Sequence, residues 1–81
     1  MILRKELANL KKRRRSVKPQ AMDALLRRAG FERRHGKGDH WIYTHSKRAY
    51  PLTIDPRNPL LPVYVGKAIR AIEEVLDDED D

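Results

Sequence analysis

Residues 35–43 bring together two glycines, a cation, an imidazole and two aromatic side chains. His40 is the candidate for chemistry here, because an imidazole titrates near neutral pH and can both accept and return a proton. RNA carries its own nucleophile in the 2′-hydroxyl, so a histidine that cleaves RNA requires no serine, cysteine or metal. Lys37 could offset the charge that builds on phosphorus, while Gly36 and Gly38 let another backbone approach closely.

The pattern predicts that this stretch is a β-hairpin. Residues 31–35 and 40–45 form its strands and residues 36–39 its turn. Trp41 and Tyr43 should share one face of the second strand. They either stack on bases or belong to the core, and we favour Ile42 pointing inward with the aromatics partly exposed. The candidate RNA-binding residues are Arg33, Arg34, Lys37, Gly38, Trp41, Lys47 and Arg48.

Three other interpretations compete for these residues. His35, His40 and His45 recur at intervals of five, but no fourth ligand is evident, so we expect neither a metal nor another cofactor. Gly36-Lys37-Gly38 lacks the Lys-Ser/Thr pair and the earlier glycine of a phosphate-binding loop. A single exposed histidine beside a turn is more often non-catalytic than catalytic, so an RNA-binding module without activity is the alternative function.

The charge of the chain favours a polyanionic partner. The 81 residues include 18 Lys and Arg against 12 Asp and Glu, for a formal charge of +6, and seven of the acids lie between Glu73 and Asp81. Residues 1–72 therefore hold all 18 basic but only five acidic residues. Such a body is typical of nucleic-acid binding, although charge alone says nothing about catalysis.

Composition and length also limit the kinds of site and of protein that this chain can be. There is no cysteine, which excludes disulfides, thiolate metal sites and thiol nucleophiles. A chain of 81 residues buries only roughly 60–65% of its unfolded surface, so any site should be shallow. No signal peptide or apolar run of membrane-spanning length is evident, and we expect a cytoplasmic protein.

Helical periodicity predicts three helices around the hairpin. Residues 1–15 place Leu3, Leu7 and Leu10 on a narrow stripe that could dock on the body, pair with a partner or stay mobile. A second helix begins at Pro19 and ends at Gly30, with Phe31 returned to the core. A third begins at Pro62. The apolar faces of the second and third helices comprise Met22, Leu25, Leu26, Ala29, Val65, Ala68, Ile69, Ile72, Val75 and Leu76.

These elements predict an α+β sandwich. A turn at residues 46–48 leads to a third strand at residues 50–54, and the two prolines of residues 55–59 make a loop. The order α-β-β-β-α places two helices on one face of a three-stranded antiparallel sheet and leaves the other face open. We divide the chain into a basic N-terminal helix at residues 1–17, a central domain at residues 18–76 and a disordered acidic tail at residues 77–81.

The central domain resembles the HicA-type toxins of bacterial toxin-antitoxin systems. The likeness covers roughly residues 18–76. It is carried by Leu25-Leu26-Arg27-Arg28-Ala29-Gly30-Phe31-Glu32, by Gly36-Lys37-Gly38-Asp39-His40-Trp41-Ile42-Tyr43, by Leu52-Thr53-Ile54, and by a helix from Pro62 through Ile69-Arg70-Ala71-Ile72.

The resemblance implies a fold like that of double-stranded-RNA-binding domains, cleavage of mRNA, and a HicB-type antitoxin that covers the active site. The family's catalytic histidine, in a Gly-Ser-His motif, corresponds to His40. This chain has Asp39 where that motif has serine. The carboxylate could orient the imidazole or raise its pKa, or it could repel the substrate.

Overall fold

The computed structural model describes residues 2–76. In chain order the elements are α1 (Ile2–Lys12), α2 (Pro19–Arg28), β1 (Glu32–His35), β2 (Trp41–Thr44), β3 (Leu52–Ile54) and α3 (Pro62–Leu76). The predicted acidic tail, residues 77–81, lies outside the described residues. The predicted α+β class, with the order α-β-β-β-α preceded by an extra helix, is confirmed.

The sheet is antiparallel, with the strand order β1-β2-β3. Its register pairs His35 with Trp41 and Arg33 with Tyr43 across the hairpin. On the other side of β2, Trp41 pairs with Ile54 and Tyr43 with Leu52. β3 is shorter than the predicted strand of residues 50–54, because Pro51 has no amide hydrogen to continue the ladder.

The faces of β2 are the reverse of the prediction that Ile42 points inward. Tyr43 is fully buried and Trp41 packs against the core, beside Leu52 and Ile54 of the neighbouring strand. Ile42 and Thr44 therefore lie on the opposite, outer face. The prediction was wrong because both faces of β2 carry a large apolar residue, so alternation alone cannot identify the buried side.

α2 ends as the sequence predicts. Gly30 has a φ of 96°, and the amide of Phe31 donates to the Leu26 carbonyl at 3.0 Å. This is the hydrogen bond of a Schellman motif, which glycine favours because it adopts positive φ without strain. The motif turns Phe31 into the core, where it is 3% exposed.

α1 docks on the body. Leu3, Leu7 and Leu10 are all buried in the same core as the helices and strands of residues 18–76. The helix ends at Lys12, three residues before the predicted end, because residues 13–16 form a turn closed by a bond from the Ser16 amide to the Arg13 carbonyl. The turn lets Val17 enter the core.

α3 completes the core with its predicted stripe, which is buried at every position. The helix packs against β3, and α2 packs against β1, so both lie on the face of the sheet that carries Tyr43. The amide of Leu60, just before α3, donates to the carbonyl of Val17 at 2.8 Å and ties this loop to the α1–α2 connection. Within residues 2–76, no helix combines the length and apolar character needed to cross a membrane.

Candidate active site on the β1–β2 hairpin

His40 stands between the hairpin turn and the start of β2, partly exposed to solvent. Its Nδ1 lies 3.2 Å from the carbonyl oxygen of Lys37. A carbonyl oxygen can only accept, so this contact is a hydrogen bond in the tautomer whose Nδ1 carries the hydrogen and donates it. In the neutral ring Nε2 then holds the lone pair, which is the state that a general base requires.

The backbone of the turn holds this arrangement in place. The amide of Gly36 donates to the carbonyl of His40 at 2.8 Å, which closes the hairpin. Gly38 has a φ of 64°, a backbone conformation that residues with a Cβ rarely adopt. The turn thus positions the Lys37 carbonyl beneath the imidazole of His40.

Asp39 does not orient the imidazole. The side chain is exposed and forms no hydrogen bond or ion pair with any residue from 2 to 76. The Lys37 carbonyl provides the orienting contact instead. Asp39 therefore contributes an exposed negative charge one residue from His40.

The outer face of the sheet lies open beside His40. Arg34, Ile42 and Thr53 are opposite one another across the three strands, and Arg34 and Thr53 are exposed. By the alternation of β2, His40 falls on the same side as Ile42. Lys37, in the turn, is also exposed. The histidine thus lies on a solvent-facing surface with two cations on the same hairpin.

Arg33 and Trp41, two of the predicted RNA-binding residues, lie on the core face of the sheet and contact each other. The guanidinium of Arg33 is 4.4 Å from the centroid of the Trp41 ring, a cation–π contact. Arg33 also forms an ion pair with Asp23 on α2, in which its Nη1 lies 3.4 Å from Oδ1. These contacts hold both side chains at the junction between α2 and the hairpin, on the face of the sheet opposite Ile42.

Asp23 is a residue that sequence reasoning missed. Its carboxylate accepts from the Tyr43 hydroxyl at 2.7 Å and from Nε of Arg27 at 3.0 Å. Burial, followed by the hydrogen bond to Asp23, raises the pKa of the Tyr43 phenol well above its usual range. An acid near the middle of a helix gives no sign of this role in the sequence, because the partner lies 20 residues away.

The other two histidines have different surroundings. Nε2 of His45 lies 3.1 Å from the carbonyl of Ala29, and its Nδ1 accepts from the Lys47 amide at 3.0 Å. His45 thereby links the end of α2 to the β2–β3 connection, which is a structural role. His35 is exposed on β1. Among residues 2–76 there is no group of three or more His, Asp or Glu side chains arranged to hold a metal ion.

Lys47 and Arg48 lie in the β2–β3 connection. Lys47 is exposed, whereas Nε of Arg48 donates to Glu74 of α3 at 2.6 Å. Leu52, at the start of β3, is paired with Tyr43, whereas His40 precedes Trp41 at the other end of β2. These two cations are thus near the far end of the sheet, and the structure does not gather all the predicted residues around His40.

Comparisons with protein-family models, with curated proteins and with solved structures found no match for this chain. The resemblance to HicA-type toxins therefore rests on the residues and spacings of the sequence.

Proposed function

We propose that this chain is an RNA-cleaving toxin similar to the HicA type, with His40 as the general acid–base and no metal requirement. The observation that carries the proposal is the contact between Nδ1 of His40 and the Lys37 carbonyl at 3.2 Å. It leaves Nε2 as the basic nitrogen of a partly exposed imidazole.

The chemistry follows from that nitrogen. Nε2 removes the proton of a 2′-hydroxyl, the 2′-oxygen attacks the adjacent phosphorus, and the bond from phosphorus to the 5′-oxygen breaks. The protonated Nε2 then returns this proton, through a water molecule, to the departing 5′-oxygen, and the products are a 2′,3′-cyclic phosphate and a 5′-hydroxyl. Lys37 and Arg34 stand on the same hairpin and would stabilise the additional negative charge on the phosphoryl oxygens.

The substrate and the partner follow from charge and from the resemblance. The excess of basic residues before Glu73 favours a polyanion, and a cytoplasmic toxin of this type would act on mRNA. A HicB-type antitoxin would cover the outer face of the sheet, where His40 is accessible. An acidic antitoxin surface would complement the same cations that bind RNA.

A growth assay tests the proposal. Induced wild-type protein should arrest growth of its host, and His40→Ala should abolish the arrest at equal protein level. His35→Ala is the matched control, because His35 is an exposed histidine of the same hairpin. Equal toxicity of wild type and His40→Ala would rule out a catalytic role for His40.

A non-catalytic RNA-binding module is the second candidate, and Asp39 is the observation that favours it. An unpaired carboxylate next to the histidine opposes the approach of a phosphate. On this alternative, wild type and His40→Ala bind RNA equally and neither cleaves it. Asp39→Ser would then raise RNA affinity without producing cleavage.

A further inference from the structure

A second cationic site lies away from His40, in a cleft between the start of β3 and the exposed side of α3. The cleft has a volume of about 350 Å³. Its charged lining consists of three cations and one carboxylate: Arg48, Lys67, Arg70 and Glu74. Lys67 and Arg70 were not among the predicted site residues, although their spacing of three places them on one face of a helix.

Arg48 has an unused hydrogen-bonding capacity in this cleft. Its Nε is held by Glu74 at 2.6 Å, but its Nη1 is buried and has no acceptor among residues 2–76. Buried polar atoms are usually paired, so this guanidinium nitrogen remains able to donate to a bound acceptor. A guanidinium is suited to bind a phosphate through two parallel hydrogen bonds.

The two cations of α3 are exposed and weakly engaged. Nζ of Lys67 lies 5.7 Å from the centroid of the Tyr64 ring. Arg70 forms no ion pair within residues 2–76. Among the residues that the structure describes, Glu74 is the one carboxylate that lines the cleft, and it is already paired with Arg48. The cleft keeps an excess of positive charge.

Gly66 brings a further cation close to the cleft. A Cβ at this position would lie 3.3 Å from Nη1 of Arg14 and 3.8 Å from Nη1 of Arg70. The absence of a side chain thus lets two guanidinium groups approach the same point on α3. Their mutual repulsion would be relieved by an anion bound between them.

We infer that this cleft binds a phosphate of the RNA backbone, with Arg48, Lys67 and Arg70 as its ligands and Arg14 beside them. The inference rests on the proposed function for the identity of RNA as the polyanion. Glu74 is the internal counter-ion, which the phosphate displaces from Arg48. Leu52, which lines the cleft, pairs with Tyr43, three residues after His40, so the two sites lie roughly 10 Å apart along the strand direction, a distance that a single RNA strand spans.

RNA binding by the inactive His40→Ala protein tests the inference. The affinity for a labelled single-stranded RNA is measured by fluorescence anisotropy over a range of salt concentrations, with and without Lys67→Gln/Arg70→Gln. The affinity falls as the salt concentration rises, and each phosphate contact to a single strand contributes about 0.7 to the magnitude of the slope of log K against log salt. Loss of two contacts should therefore reduce the slope by about 1.4 and weaken binding at low salt.

The matched control is Lys5→Gln/Lys12→Gln. It removes the same charge from exposed positions of α1 that do not line the cleft. Equal slopes for the two double variants would overturn the inference, because the effect would then reflect net charge alone. Glu74→Gln should tighten binding severalfold at low salt, and an unchanged affinity would contradict its role as counter-ion.

The outcome separates this inference from the proposed function. If cleavage depends on His40 while the two double variants bind RNA equally, the cleft assignment fails and the catalytic proposal stands. If the cleft variant loses affinity but wild type never cleaves RNA, the catalytic proposal fails and the cleft stands. RNA that does not bind the His40→Ala protein at all would contradict both.

Discussion

The hydroxyl of Tyr43 donates to Oδ1 of Asp23 at 2.7 Å and thereby joins the central strand to α2. Tyr43 has no exposed surface, and Asp23 also accepts from Arg27. The strand that follows His40 is thus anchored to the helix layer three residues beyond the histidine. Packing on one face of β2 supports the site on the other.

Tyr43→Phe should destabilise the protein by roughly 1.5–3 kcal/mol, because the lost hydrogen bond has a charged acceptor. Urea unfolding of both proteins measures the difference. Tyr50→Phe is the control, since Tyr50 is 77% exposed. A free energy of unfolding that is the same for Tyr43→Phe and wild type would show that this bond is not stabilising.

The raised pKa of Tyr43 predicts a loss of stability at alkaline pH. Below about pH 10, the unfolded value, the phenol is neutral in both states and the stabilisation is complete. Above that pH only the unfolded chain loses the proton, so the free energy of unfolding falls as the pH rises. Unfolding by urea at several pH values between 8 and 12 should show this decline, and Tyr43→Phe should show less of it.

Gly36→Ala should distort the hairpin that carries His40. The added Cβ would lie 2.6 Å from Cδ1 and 2.8 Å from Cγ1 of Ile42, closer than such atoms can approach. We expect a loss of about 1–3 kcal/mol, as for other overpacked sites. Ile42→Ala in the same chain should recover part of it, because it removes both contacting atoms. The absence of any such coupling in a double-mutant cycle would contradict the predicted clash.

Leu7→Ala tests whether α1 belongs to the same cooperative unit as residues 18–76. Leu7 is 3% exposed within the shared core, so the truncation should cost roughly 2–5 kcal/mol. Leu61→Ala, at a position 39% exposed, should cost much less. If α1 were a separable element, Leu7→Ala would leave the unfolding of the remaining chain unchanged.

Local signals in the sequence were sufficient to predict much of the fold. Pro19, Gly30 and Pro62 mark helix boundaries through backbone constraints that act within a few residues. The boundaries of the strands were less well predicted, since they depend on pairing with a neighbour. The orientation of β2 was wrong because Tyr43 is buried together with its polar atom, and its partner Asp23 could not be identified from spacing.

The site was predicted only in part for the same reason. The position of His40 beside a glycine turn follows from the sequence, but the contact with the Lys37 carbonyl requires the folded turn. Arg33 and Arg34 are adjacent in sequence yet lie on opposite faces of β1, with different surroundings. The cleft at Arg48 involves Lys67 and Arg70 of α3, which lie 19 and 22 residues further along the chain and which no local pattern connects to it.

The most direct test of the central claim is cleavage of a labelled mRNA in the presence of EDTA by wild type, His40→Ala and His35→Ala. If His40 is the general acid–base, wild type and His35→Ala cleave the RNA and leave 2′,3′-cyclic phosphate ends, while His40→Ala leaves it intact. Cleavage that persists in His40→Ala, or that requires a divalent metal, would contradict it.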